Sequence, residues 1–290
     1  MESAATVARA RALSSALPRP LGFVPTMGAL HDGHLELVRR ARERCAAVVA
    51  SIFVNPLQFA PNEDLATYPR DLQHDREKLA AAGVDALFEP DVPAMYPAGF
   101  STVVAVGPLG ELFEGAQRPG HFRGVTTVIA KLLNVVRPDV LFLGQKDAQQ
   151  AVLLRKMIAD LDFSVEVEIV PTVREPDGLA MSSRNRYLDA TRRAEAVTLY
   201  QMLCTTVSAL EGGAPKADAL EAGAAALSSR AHLDYLEVVD AATFEPIGEL
   251  RPPAFVIGAA RFGTTRLIDN LWVPLRPSTL RQAQGRLSSG

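Results

Sequence analysis

Apolar runs of strand length alternate with runs of helical periodicity through the first half of the chain, and this alternation limits the fold more than any other feature. GFVP around Phe23, VVASIFV from Val48 to Val54, DALF from Asp85 to Phe88, Val103 to Val106, and VLFL from Val140 to Leu143 read as strands. The intervening stretches 34–46, 71–82, 124–136 and 147–161 read as helices. Strands that are apolar on both sides need cover on both faces, and connecting helices supply it when the strands run parallel. The expected class is therefore α/β with a Rossmann-like parallel sheet. Ligands of such sheets bind at the carboxyl ends of the strands.

After Val170 the pattern changes. PTVREPDGLAMSSRNRYL is polar and turn-rich, helical patterns follow at about 190–211 and 216–229, and LEVVD, FVIGAARFG and TRLIDNLWV read as strands. This predicts a smaller C-terminal α+β domain over 174–276 behind a first domain at 1–173. PSTLRQAQGRLSSG, residues 277–290, lacks a core pattern and reads as a disordered tail.

Composition narrows the function. With 290 residues, 48% of them hydrophobic and 22% charged, the chain has a globular balance. A net charge of -3 argues against a broad nucleic-acid surface, which would be basic. Cys45 and Cys204 form no C-x-x-C pair and read as packing residues of a reducing, cytoplasmic setting. No apolar run approaches the ~20 residues that span a bilayer. The opening MESAATVARARALSSALPRP has the Arg- and Ser-bearing, acid-poor look of a transit peptide, but an amphipathic helix ending before Pro18 fits it better, with the first core strand at Leu21.

The chemistry begins at PTMGALHDGH, Pro25 to His34, which joins a strand to a helix through small residues. Gly28 and Gly33 allow backbone N–H groups to approach a ligand, and the helix start offers unpaired donors and a positive dipole end to phosphate oxygens. His31 and His34, three apart, share one face. Each can donate a hydrogen bond to phosphate and, if protonated, offset developing charge. Two histidines without further ligands make a poor zinc site. The glycine pattern is neither G-x-G-x-x-G nor a Walker loop, and a structural pair in a turn is the remaining bland alternative.

A second strand-to-helix segment, LFLGQKDAQQAVLLRKM, places Gly144, Lys146, Asp147 and Gln150 at a strand end. In MSSRNRYL, Ser182, Ser183 and Arg184 suit triphosphate oxygens. NPLQFAPNEDLATYPR carries Gln58, an uncharged amide able to read a carboxylate or hydroxyl. GAQRPGHFRGV adds Arg118, His121 and Arg123 as candidate anion binders, with ordinary ion pairing as the alternative for Arg123.

In this order, PTMGALHDGH, FVNPLQF, RPGHFRGV, FLGQKDAQQ and MSSRN closely resemble the pantoate–β-alanine ligase family over about residues 3 to 275. The resemblance implies a sheet of the nucleotidyltransferase and class I synthetase type and an ATP- and Mg²⁺-dependent condensation of pantoate with β-alanine through a pantoyl adenylate. AMP and pyrophosphate would be released. By position, Met27, Gly28, Ala29, Leu30, His31, Asp32, Gly33 and His34 resemble the first ATP segment, with His34 the catalytic histidine and His31 its partner. Gly144, Gln145, Lys146 and Asp147 resemble the second, Lys146 being catalytic. Val173 matches an adenine-side contact, and Met181, Ser182, Ser183 and Arg184 match a phosphate-binding loop. Gln58 resembles the residue that contacts pantoate and β-alanine, and Gln150 the second pantoate contact. Arg184 stands where tRNA synthetases of the wider superfamily carry lysine. The resemblance further implies a homodimer, while the charge balance and the lack of a spanning run argue against nucleic-acid and membrane partners, and no complete metal cage of protein residues is visible in the sequence. Two rivals remain, nucleotidyl transfer onto a phosphorylated substrate and a nucleotide-binding module without chemistry.

Overall fold

The computed structural model of the protein describes residues 1–61 and 63–273. Six strands, β1 (Glu2–Ala4), β2 (Leu21–Thr26), β3 (Ala47–Ile52), β4 (Ala86–Phe88), β5 (Val140–Gly144) and β6 (Glu166–Val170), form one sheet in the order β1-β4-β3-β2-β5-β6. All five pairings are parallel. The helices of this part are α1 (Val7–Ala16), α2 (Asp32–Arg44), α3 (Leu72–Ala81), the short α4 (Val92–Met95) and α5 (Glu114–Gln117), α6 (His121–Val136) and α7 (Ala148–Asp160).

Alternate residues of each strand enter different cores, as the two-residue period of a strand requires. Leu21, Phe23, Val49, Phe88 and Leu141 pack with residues of α1, α6 and α7, whereas Val24, Val48, Ala50, Leu87 and Phe142 pack with Leu37 and Val38 of α2 and Leu79 of α3. Each such Val, Leu or Phe contributes about 1.5–3 kcal/mol by leaving water. Both faces are thus closed, which is why these strands are apolar throughout.

The path of the chain creates the binding edge. From β2 it moves outward to β3 and β4, then returns to place β5 on the other side of β2, pairing Gly22 with Val140 and Phe23 with Leu141. Adjacent strands whose connections leave in opposite directions form a switch point, where a crevice opens at the carboxyl ends. The histidine segment follows β2, and the lysine segment follows β5.

Three details differ from the sequence expectation. Val103–Val106 is not a strand: the Val104 N–H donates to Thr127 Oγ1 at 2.9 Å and its carbonyl accepts from Thr126 Oγ1 at 2.6 Å, so two threonine hydroxyls of α6 replace a sheet neighbour. The first strand is β1, ahead of Leu21; three residues paired with β4 are too few to show a period. β6 also lies outside the expected set. As an edge strand it alternates charge with apolar residues, and Glu168 pairs with Arg44 of α2 at 2.6 Å.

Two compact units divide the chain, residues 1–174 with Met181–Ser183, and Glu175–Ala180 with the segment from Arg184 onward. The second unit contains α8 (Ala190–Gly212), α9 (Lys216–Ala225) and an antiparallel sheet of β7 (His232–Asp240), β8 (Ala254–Phe262) and β9 (Thr265–Val273) in that order. Asp189 caps α8 by accepting from the Arg192 N–H, and Gly213 ends it in the left-handed conformation. Leu199, Met202 and Leu203 of α8 pack on Val256, Ala260 and Phe262 of β8. The expected tail at 277–290 lies outside the described residues.

Candidate active site

α2 starts on a reciprocal cap built from its own histidines. His31 is the cap residue, its Nδ1 accepting from the Gly33 N–H at 3.2 Å, while His34 Nδ1 accepts from the His31 N–H at 3.3 Å. The ring centroids are 4.1 Å apart. An imidazole whose Nδ1 accepts a hydrogen bond carries its proton on Nε2 in the neutral form. Each ring is therefore held as an Nε2–H donor.

Electrostatics keep both rings neutral. Burial lowers the His31 pKa to about 4, helped by the Lys146 and Lys78 ammoniums against the opposing pull of Asp147 and Asp32. Burial also lowers that of His34 to about 3, with His31, Lys146 and Lys78 acting in the same direction and Asp147 against them. The protonated form, the condition under which they would also offset charge, is disfavoured in the free protein. The two rings are a pair of neutral donors beside lysine charge.

The turn before the cap is held from α3, which the sequence did not indicate. Asp75, 2% exposed, accepts from the Ala29 N–H through Oδ2 and from the Leu30 N–H through Oδ1, both at 2.8 Å. Lys78 Nζ donates to the Leu30 carbonyl at 2.7 Å. Gly28 (φ +85°) and Ala29 (φ 51°) are left-handed here, and a Cβ on Gly28 would stand 2.9 Å from Asp75 Oδ2. Glycine is required at that point by both φ and space. In QHDREK, Asp75 and Lys78 look like a solvated helix face, and no local signal marks them.

Of the other expected residues, Ser183 meets this turn directly. Ser183 Oγ donates to the Ala29 carbonyl at 3.0 Å, and the Met181 N–H donates to the Val173 carbonyl at 3.0 Å. Lys146 follows β5, with Nζ 3.1 Å from Asp147 Oδ1. Arg184 belongs to the second unit.

Gln58 sits in a 3₁₀ turn (Pro56–Gln58) after β3, and its Nε2 lies 3.3 Å from Met27 Sδ, so it meets the first expected ATP segment directly. Asn55 Nδ2 donates to Gln58 Oε1 at 2.9 Å and to the Gly124 carbonyl at 3.1 Å, while Tyr96 donates its hydroxyl proton to Asn55 Oδ1 at 2.8 Å. With Oε1 taken by Asn55, Nε2, which also contacts Met27 Sδ, is the donor group of Gln58. A Cβ on Gly124 would lie 2.2 Å from the Leu57 carbonyl oxygen, so only glycine lets α6 approach the turn this closely.

Arg118 and His121 play another part than anion binding. Arg118 pairs with Glu63 at 2.6 Å and donates to the Gln58 carbonyl at 3.2 Å; His121 Nδ1 is 2.8 Å from the same carbonyl. They brace the Gln58 turn. His121 is held neutral, its pKa lowered to about 4 by burial and by Arg118. Arg123 is exposed. The neighbouring glutamines of α7 also divide: Gln149 is buried and donates to the Leu109 and Leu112 carbonyls at 3.0 and 2.8 Å, whereas Gln150 is half-exposed.

Two loop-to-helix segments meeting at the switch point of a parallel sheet, with a bound-in amide from the next strand, define a nucleotide-binding α/β protein. The profile of the Pantoate-beta-alanine ligase family matches residues 2–272. The pantothenate synthetase of Pelotomaculum thermopropionicum is 51% identical over 255 residues, which are 87% of this chain and 90% of that protein. The crystal structure of pantothenate synthetase from Thermus thermophilus superposes with a TM-score of 0.91 at 52% identity, covering 95% of this chain and all of the other, 100%. The Francisella tularensis pantoate-beta-alanine ligase, solved in complex with beta-gamma ATP and beta-alanine, gives 0.78 at 35% identity, covering 96% and 99%. This chain belongs to the pantoate–β-alanine ligase family.

Proposed function

We infer that the protein condenses pantoate with β-alanine, using ATP. Pantoate's carboxylate oxygen attacks the α-phosphorus of ATP and pyrophosphate leaves; the amine of β-alanine then attacks the acyl carbon of the pantoyl adenylate, and AMP leaves. The observation that carries this reading is Gln58 Nε2 against Met27, which joins an amide suited to an acid substrate to a phosphate-type segment. The Nε2–H groups of His31 and His34 hydrogen-bond phosphoryl oxygens, Lys146 balances the charge that develops on the α-phosphoryl group, and Ser182, Ser183 and Arg184 hold the pyrophosphate portion. Gln58 and Gln150 orient pantoate. No enzyme nucleophile is needed, because positioning and charge stabilisation suffice once the carboxylate oxygen has become part of a phosphate leaving group.

Among the described residues no group of three or more His, Cys, Asp or Glu side chains is placed to hold a metal ion. Mg²⁺ would arrive on the triphosphate, where its chemistry is to neutralise phosphate charge. Among the described residues, no helix is long and apolar enough to cross a membrane. A homodimer in the cytoplasm is the assignment that follows from the family resemblance.

The direct test is exchange of labelled pyrophosphate into ATP. Exchange is expected with pantoate present and β-alanine absent, because adenylation is reversible before the amine enters. An absolute requirement for β-alanine would overturn the two-step scheme.

The substrate assignment has its own test. Gln58→Ala and Gln150→Ala each remove a hydrogen bond to a charged substrate, worth about 1.5–3 kcal/mol, so the KM for pantoate should rise about 10- to 100-fold while that for ATP changes little. Loss of ATP affinity with an unchanged pantoate KM would favour a nucleotidyltransferase.

A further inference from the structure

Gln58 and Asn55 are both amides, and an amide side chain can face either way round until its neighbours decide. Here the neighbours decide. The Gly124 carbonyl can only accept and the Leu57 N–H can only donate, which turns Asn55 Nδ2 to the first at 3.1 Å and Oδ1 to the second at 3.3 Å. Asn55 Nδ2 then meets Gln58 Oε1 at 2.9 Å. The short bond at the other end of Asn55 comes from Tyr96, whose hydroxyl lies 2.8 Å from Oδ1. Tyr96 is therefore the firmer anchor of that oxygen. Asn55 is 1% exposed, so water does not replace a partner it loses.

The fold delivers Tyr96 to this place. β4 lies beside β3 in the sheet, and the short α4 that follows β4 ends at Tyr96, whose N–H donates to the Val92 carbonyl at 2.7 Å. Its ring packs against Phe53 and Phe100 at centroid distances of 6.0 and 4.9 Å, with the Lys131 ammonium 5.9 Å from the ring centre. Burial pushes the hydroxyl pKa above the usual tyrosine value, so the proton it donates is kept. We propose that Tyr96 is a positioning residue for pantoate: through Asn55 its hydroxyl fixes the Gln58 amide with Nε2 turned to the substrate, so that the site selects an oxygen that accepts. The proposal rests on the assignment of Gln58 to pantoate. Without the hydroxyl, Asn55 keeps only the longer bond at Oδ1, and Gln58 Oε1 loses a fixed partner. A Gln58 amide free to turn offers its own oxygen to the substrate part of the time, and a carboxylate oxygen is repelled by it.

The test is steady-state kinetics of the complete reaction for Tyr96→Phe, Gln58→Ala and the double variant, with the melting temperature of each protein. Tyr96→Phe keeps the ring contacts and removes only the hydroxyl. It should raise the KM for pantoate about 3- to 10-fold, with kcat, the KM for ATP and the melting temperature near wild type. In the Gln58→Ala background the same substitution should add nothing, because the group it positions is gone. An unchanged pantoate KM in Tyr96→Phe, with or without a lower melting temperature, makes the tyrosine merely structural and overturns the proposal. Equal rises in the KM for pantoate and for ATP, or a full effect on top of Gln58→Ala, overturn it as well. If Gln58→Ala by itself leaves the pantoate KM unchanged, the assignment of Gln58 to pantoate falls, and the proposal falls with it.

Discussion

His34→Ala and Lys146→Ala are each expected to lower turnover by roughly 100- to 1000-fold with the fold intact, the range seen when one donor to a developing oxyanion is removed. For His34 the argument is geometric. Its Nδ1 is occupied by the His31 N–H at 3.3 Å, so its remaining donor is Nε2–H. Burial, the adjacent ring and two lysines hold its pKa near 3, which makes it a neutral donor throughout the physiological range. The sign is testable. Because the ring gains its proton only as pH falls towards about 3, kcat/KM, which reports the free enzyme, should show no His34 ionisation near the ordinary 6.5. An acid limb at that pH that vanishes in His34→Ala would overturn the neutral-donor role, and near-normal turnover in either variant would remove its residue from the site.

How much of this was readable in the chain follows from the range of each interaction. The parallel sheet was legible because β2, β3 and β5 are apolar on both sides, a property of each segment alone. PTMGALHDGH was legible for the same reason: its cap is made by His31 and His34 on their own backbone, three residues apart. β1 and β6 were missed as edge strands, one too short and one patterned with Glu166 and Glu168, whose arginine partner comes from α2. Val103–Val106 misled because its apolar side chains pack as a strand's would while its backbone bonds to Thr126 and Thr127. Arg118 and His121 look like anion ligands until Glu63 and the Gln58 carbonyl, about sixty residues away, are seen to take them. Asn55, Tyr96, Asp75 and Lys78 gave no signal, since each acts on a partner that only the fold brings near.

Asp75 carries the second large expectation. The Ala29 and Leu30 N–H groups point inward in a turn where both residues are buried, at 1% and 0% exposure, and the Asp75 oxygens satisfy them. Asp75→Ala strands both donors at a cost of about 1–3 kcal/mol each, so a loss of about 2–6 kcal/mol in unfolding free energy by denaturant titration is expected. The left-handed conformation at Ala29 loses its restraint at the same time. Because the next residues are the cap that orients both histidines, turnover should fall by at least about 10-fold even where the protein stays folded. Asp75→Asn separates the two effects: one oxygen can still accept, but the amide then turns an N–H towards the other backbone donor. Its stability should lie between wild type and Asp75→Ala, with turnover reduced at unchanged pantoate KM, since Gln58 is braced independently by Asn55, Arg118 and His121. An Asp75→Ala protein with wild-type stability and turnover would show that α3 does not hold the histidine turn, and the positioning of the site would have to be sought elsewhere.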